Sequence, residues 1–295
     1  MKTFLFEQYG YYPKEIKNNS FVVDGWMFKI IPTDLNNQDV TSIENYINVL
    51  NQTFFNKGPF IIKNKTNSNV SFFNDTNYVL ISSFLANMSI QDLIKFHYLF
   101  YKSDEYVELD KILDVWKDRV DEVEKKLSSN LRVDSIYYKK NLDISMFCIG
   151  LAINAMQYLS DIIYNYDKRL YGITIVHKRL SNLNSFDFFN PFNFMVEHPI
   201  KDIAMLYQSD YLTYEELKNI LPNYNLDITS ATFLMARILY RVDVFDFLQT
   251  KRDIDSKDQK ITFNLEMEIY KIKKAYSLLK SVYSIRPIDW LEENL

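Results

Sequence analysis

The sequence predicts an α+β protein of two lobes: a small antiparallel-sheet lobe with one helix over residues 1–84 and a large helical lobe over 85–295. Three observations carry this. Asp24-Gly25, a strong hairpin signal, stands between two short β-branched or aromatic runs in "SFVVDGWMFKIIPT". A single helical period, "SIENYINVLNQTFF", occurs before residue 88. From Met88 onward the apolar residues recur mainly at three- and four-residue steps.

In the first lobe, Thr41 or Ser42 is positioned to cap the helix, whose Ile43, Tyr46, Ile47 and Leu50 share one face. Gly58-Pro59 stops it, and "PFIIKN" and "NYVLISSF" read as two strands separated by the polar loop "KTNSNVSFFNDT". In the second lobe, Ser89 caps "SIQDLIKFHYLFY". Leu109, Ile112, Leu113, Trp116, Val120 and Val123 then give "VELDKILDVWKDRVDEVEKKL" an apolar stripe with charges opposite. "DISMFCIGLAINAMQYLSDIIYNY" is apolar nearly all round and predicts the central buried helix. Further helices are expected at 213–221, as one unbroken segment over "SATFLMARILYRVDVFDFLQT", and over "FNLEMEIYKIKKAYSLLKSVY".

A hydrophobic share of 47% with 24% charged residues places the chain among globular proteins. Its net charge of −4 supplies no field for gripping phosphate backbones, which argues against nucleic acid. The single Cys148 lies in an apolar run, cannot form an intrachain disulfide and reads as buried, so a reducing, cytoplasmic setting is expected. "MKTFLFEQYGYY" is too short and polar for a signal peptide, and no uncharged apolar run reaches the roughly 18 residues of a membrane span. The 5 glycines assemble neither common phosphate loop. His97 and His198 read as packed core residues, and the spacing of the histidines does not suit zinc.

The stretch "TIVHKRLSNLN" carries the most chemistry. Protein kinases write their catalytic loop H-R-D-L-x-x-x-N, and His177, Leu180 and Asn184 keep that framework while Arg179 stands in place of the aspartate. The carboxylate is needed to accept or orient the proton of the attacking hydroxyl, whereas a guanidinium presents only donors. A metal-holding Asp should follow. Asp187-Phe188-Phe189 resembles such a turn by letters but comes only three residues after Asn184; Asn190 or Asn193 lies at a better distance, and each is a neutral, poorer ligand for a hard cation. Lys29, alternating out of an apolar strand, and Glu44, early in the next helix, are candidates for the pair that grips nucleotide phosphates.

The segments "LIKFH", "ILDVWKDRVDEVE", "GLAINAMQYLSD", "TIVHKRL", "NFMVEHPIKDIAML", "FLMARILYRVDVFDFL" and "IDWLEENL" resemble the spore coat kinase-like proteins, the CotS group and most closely its YutH branch, within the aminoglycoside-phosphotransferase superfamily. The resemblance covers most of residues 90–295 and implies a bilobal protein-kinase-like fold, with a nucleotide cleft between the lobes, and association with the endospore coat. By position it makes Lys29 and Glu44 the phosphate grip, Asn184 the loop's metal ligand and Asp202 a brace accepting backbone hydrogen bonds from the loop. Arg179, Asn193 and Ile153 depart from acids expected there.

The resulting expectation is a pseudokinase acting as a structural or assembly component, with ATP and Mg²⁺ only if nucleotide binding is retained. Its expected partners are other proteins, spore coat components among them, rather than nucleic acid or membrane. The expected location is the cytoplasm, or the coat if the host sporulates. The rival is an active phosphotransferase on a small hydroxylated metabolite or a protein, with Asp187 or Glu197 supplying the metal ligand.

Overall fold

The computed structural model describes residues 1–55, 58–129, 136–250 and 264–292, so the last three residues of the closing motif lie outside the described part. Two compact units result, one of Met1–Lys95 with Asn182–Met195 and one of Phe96–Ser181 with Val196–Leu295.

The first unit opens on α1 (Lys2–Tyr9), a helix the sequence reading did not anticipate, ended by Gly10 at φ 81. β1 (Ser20–Val23) and β2 (Trp26–Thr33) form the hairpin around Asp24 and Gly25, at φ 49 and φ 80. Both turn residues are left-handed, as a two-residue loop matched to strand twist requires. α2 (Asn37–Thr53) follows, then β3 (Phe60–Ile62), β4 (Ser71–Phe73) and β5 (Thr76–Phe84). The antiparallel sheet runs β1-β2-β5-β3, with β4 also on β5.

Side chains alternate across this sheet. Phe21, Phe28, Ile30 and Leu80 face α1's Phe4 and Leu5, while Val79 and Ile81 pack with Val40 of α2 and Phe186 on the other face.

Two local expectations are corrected. The cap of α2 is Asn36, which forms a capping box with Asp39. Thr41 and Ser42 lie inside the helix, their hydroxyls donating to the Asn37 and Gln38 carbonyls. The segment read as a polar loop contains β4, because Asn74 and Asp75 adopt φ 47 and φ 58 and close a second tight hairpin.

The second unit takes in the end of α3 (Ile90–Leu99), β6 (Lys102–Glu108), α4 (Leu109–Ser129), α5 (Ile136–Asn165) and β7 (Arg169–His177). The chain then contributes α6 (Ser185–Phe188) to the first unit. It returns through β8 (Phe194–Glu197) to α7 (Ile200–Gln208), α8 (Tyr214–Ile220), α9 (Ile228–Leu239), α10 (Val242–Thr250), α11 (Leu265–Tyr283) and α12 (Asp289–Glu292). β6, β7 and β8 form a second sheet in that order.

β6 takes the Val107-Glu108 start that the sequence assigned to a helix. The segment expected as one helix is two, α9 and α10. Tyr240 is extended at ψ 98, and Arg241 beyond it pairs with Asp243 and Glu268. Leu142–Asn165 within α5, which includes Asp143 and Asp161, is long and apolar enough, by length and composition only, to cross a membrane. Its Leu151, Ala152, Ala155, Leu159 and Ile162 are buried in the second unit.

Candidate functional site

The centre of the second unit is a fully buried carboxylate. β7 ends at His177, and α7 brings Asp202 beside it: the His177 backbone N–H donates to Oδ1 at 2.9 Å, and Nδ1 lies 2.6 Å from Oδ2. His97 of α3 places Nε2 3.1 Å from that same Oδ2, and its Nδ1 is 2.8 Å from the Tyr224 hydroxyl. The Thr174 hydroxyl donates to the His97 carbonyl at 2.7 Å, and Phe96 stacks on His177 with centroids 5.3 Å apart.

Burial drives the Asp202 carboxyl up, but the charge and hydrogen bond of His177 and the bond from His97 outweigh it and hold it below the usual carboxylate range. Burial dominates at His97 and keeps it lowered despite Asp202. A neutral His97 therefore donates from Nε2 and accepts the Tyr224 O–H at Nδ1.

The neighbour of Asp202 completes the brace. The buried Lys201 ammonium donates to the His177 carbonyl and, at 3.3 Å, to that of Lys178; burial lowers it to about 8. Two consecutive residues of α7 thus hold both backbone polar groups of His177. Glu197 pairs with Arg237 at 2.5 Å, and both are buried. Burial raises the Glu197 carboxyl, which is committed to that guanidinium.

Arg179 stands in the bend after β7 and is bound to α10. Its Nε and Nη2 donate to Asp246 Oδ2 and Oδ1 at 2.5 and 2.7 Å, and Nη1 donates to the Lys178 carbonyl at 2.6 Å. Arg119 of α4 reaches Oδ1 of the same carboxylate at 2.6 Å. Partial burial raises Asp246, but the two arginines, Arg179 first, leave it lowered overall. The loop position following His177-Lys178 therefore presents a guanidinium held by a carboxylate, with no proton acceptor of its own.

The other sequence candidates belong to the first unit. Asn184 caps α6: its Oδ1 accepts the Asp187 N–H at 2.9 Å, and its Nδ2 donates to Asp187 Oδ2 at 2.7 Å and to Asn182 Oδ1. Asn193 closes the short 3₁₀ turn Pro191–Asn193, its N–H on the Asn190 carbonyl at 2.9 Å. Asp187 and Asn184 thus serve one another, the carboxylate accepting the amide N–H and the amide oxygen accepting the backbone N–H. Among the described residues no group of three His, Cys, Asp or Glu is placed to hold a metal ion.

Lys29 and Glu44 form no ion pair with one another among the described residues. The Lys29 ammonium lies instead 5.2 Å from the centroid of the Phe186 ring. Cys148 is buried, and burial raises its thiol to about 12.

Sequence reasoning assigned no role to Lys201, Asp246 or Phe186. Lys201 could have been suspected from its place beside Asp202; nothing in the spacing marks Asp246 as the partner of Arg179, 67 residues away.

A five-stranded antiparallel unit with its helices, joined to a mostly helical one, is the kinase-like phosphotransferase fold. Two solved structures share it. An aminoglycoside phosphotransferase from Alicyclobacillus acidocaldarius subsp. acidocaldarius DSM 446 matches with TM-score 0.55 and 10% identity over 95% of this chain and 91% of that one. Spectinomycin phosphotransferase APH(9)-Ia, solved in complex with ADP and spectinomycin, matches with TM-score 0.54 and 12% identity over 94% and 97%. At these identities the likeness is one of fold.

The chain belongs to the family described as "Spore coat putative kinase YutH", whose model matches residues 2–282. No curated protein matches it.

Proposed function

We propose that this chain is a kinase-fold protein without phosphoryl transfer, serving as a structural or assembly component, and that in a sporulating host it serves at the spore coat. The observation that carries the reading is the bidentate bond from Arg179 to Asp246, which fills the loop's acceptor position with a saturated cation. Loss of a general base removes about 10²–10⁴ in rate on its own. The amide-bound Asp187 and the missing Lys29–Glu44 ion pair support the same conclusion. The family description supports the coat assignment. Partners on this reading are other proteins.

The rival reading is an active phosphotransferase on a small hydroxylated metabolite or a protein. The contact between Asp187 and Asn184 favours it, since one carboxylate does stand beside the loop asparagine. Glu197 is taken by Arg237.

The test is phosphoryl transfer from γ-labelled ATP with Mg²⁺, offered to candidate hydroxylated metabolites and to coat proteins. No product above the protein-free background is expected. Transfer that disappears in Asp187→Asn would replace this reading with the rival. A fluorescent fusion followed through sporulation tests the location, with a signal confined to the cytoplasm counting against the coat.

A further inference from the structure

The segment after β7 supplies an aromatic side chain to the unit that holds Lys29. Residues 182–195 belong to the first unit and are stitched to the end of β5. The Met88 N–H donates to the Leu183 carbonyl at 2.7 Å and the Ser185 N–H to the Ala86 carbonyl at 2.7 Å. The Ser185 hydroxyl donates to the Phe84 carbonyl at 2.6 Å and accepts the Ala86 N–H at 3.0 Å. Four hydrogen bonds thus fix the backbone next to Phe186.

That side chain is 2% exposed and packs with Val40, Val79 and Ile81, on the sheet face where Met27 and Ile31 flank Lys29 along β2. The Lys29 ammonium is directed at its ring.

We infer that Phe186 is a built-in plug: it takes the place of an anion at Lys29, so the chain does not bind a nucleoside triphosphate through that lysine. The inference rests on the proposed function and deepens it by naming what closes the phosphate grip. A lysine on a sheet face gains from a phosphate only if the phosphate can approach without disrupting the packing around it. Lys29 itself is half-buried, and on the side its ammonium faces the volume belongs to the apolar core around Phe186, so an anion seated there would require both removal of a buried ring from that core and rupture of the Ser185 stitches. A cation–π contact alone would yield to a phosphate; the embedded ring makes the closure persistent.

The experiment measures two quantities on the full chain: binding of a fluorescent ATP analogue, with and without Mg²⁺, and the labelling rate of Lys29 by an amine-reactive reagent, read by mass spectrometry. For the wild type we expect no saturable binding up to millimolar nucleotide and Lys29 labelling at least tenfold slower than at the exposed Lys14. Phe186→Ala, and Phe186→Leu as the variant that better preserves the core, should each speed Lys29 labelling at least fivefold. At least one should acquire nucleotide binding that Lys29→Met abolishes in the same background.

Saturable wild-type binding lost in Lys29→Met would overturn the plug, as would folded Phe186 variants with unchanged Lys29 labelling and no binding. Wild-type binding that Lys29→Met abolishes, without phosphoryl transfer, removes the plug alone and leaves the proposed function standing; transfer removes the proposed function.

Discussion

His177 and Asp202 are joined twice, by a backbone N–H to Oδ1 and by the imidazole to Oδ2, at 2.9 and 2.6 Å and with neither side chain exposed. A single carboxylate thereby fixes both the main chain and the side chain where β7 gives way to the following loop. Its second oxygen also serves His97, 105 residues from Asp202 in the chain.

Asp202→Asn should therefore be among the most damaging single changes. The amide oxygen can still accept the His177 N–H, but its NH₂ group then faces two imidazole donors, leaving buried donors unmatched. Breaking a buried charged pair in this way costs about 3–5 kcal/mol. Urea denaturation of the wild type and variant measures it; a loss below about 1 kcal/mol would remove the brace role.

Acid sensitivity should arise early, from His198. It is 6% exposed, its Nδ1 accepts only a long 3.4 Å bond from the Ile200 N–H, and burial lowers it to about 3. The fold thus favours neutral imidazole. The unfolded chain takes up the proton first, as pH falls below about 6.5, and the folded chain follows only near about 3. Stability fully present above the unfolded value is lost progressively across that window. His97, also lowered, adds a loss of the same sign, and the depressed Asp202 adds its own below about 3.9, its ordinary unfolded value. Stability measured between pH 7 and 4 should fall less steeply in His198→Asn than in the wild type; equal slopes would refute the assignment.

On the proposed function the Arg179–Asp246 bond decides the chemistry, yet it is energetically small. Arg179 is 53% and Asp246 35% exposed, so solvent screens the pair, and a double-mutant cycle with Arg179→Ala and Asp246→Ala should give a coupling of about 1 kcal/mol or less. Arg179→Asp alone should not create phosphoryl transfer, because the new carboxylate faces Asp246 and the grip at Lys29 remains closed. Detectable turnover in that variant would show that position 179 was the sole defect.

Gly172→Ala should destabilise the antiparallel β6–β7 pairing. The residue adopts φ +84, and an added Cβ would lie 2.5 Å from the Tyr101 hydroxyl oxygen, with ring carbons at 3.2 and 3.3 Å. Backbone strain of this kind costs of order 1–3 kcal/mol, and the contact adds to it. Tyr101→Phe in the same chain removes the nearest atom only, so thermal unfolding should show partial rescue. Full recovery would mean that the backbone conformation carries no strain.

Much of the fold was legible because its signals are local. Asp24-Gly25 set the first hairpin, the stripe from Leu109 to Val123 became the buried side of α4, and the apolar run around Cys148 became a helix buried along one side, with Met146 and Ile153 exposed on the other rather than buried all round. The departures came where several local solutions compete. Asn36 outcompeted Thr41 and Ser42 as a cap, two left-handed residues at Asn74-Asp75 made a hairpin from a polar stretch, and Arg241's acidic partners accompany a break in a helical period. Of the site, the residue types at 177, 179, 184 and 202 could be read from the letters, and their partners could not.

By itself the sequence determined which groups the loop carries: a histidine, a permanent cation and an asparagine, because protonation chemistry belongs to the residue type. Only the tertiary structure decided that Asp246 would saturate that cation, that His97 would share the oxygen of Asp202, and that Phe186 would reach Lys29. Those pairings span tens to more than a hundred residues, and no periodicity encodes them: they arise when helices and strands bury their apolar faces and their remaining polar groups must find partners wherever the packing has placed them.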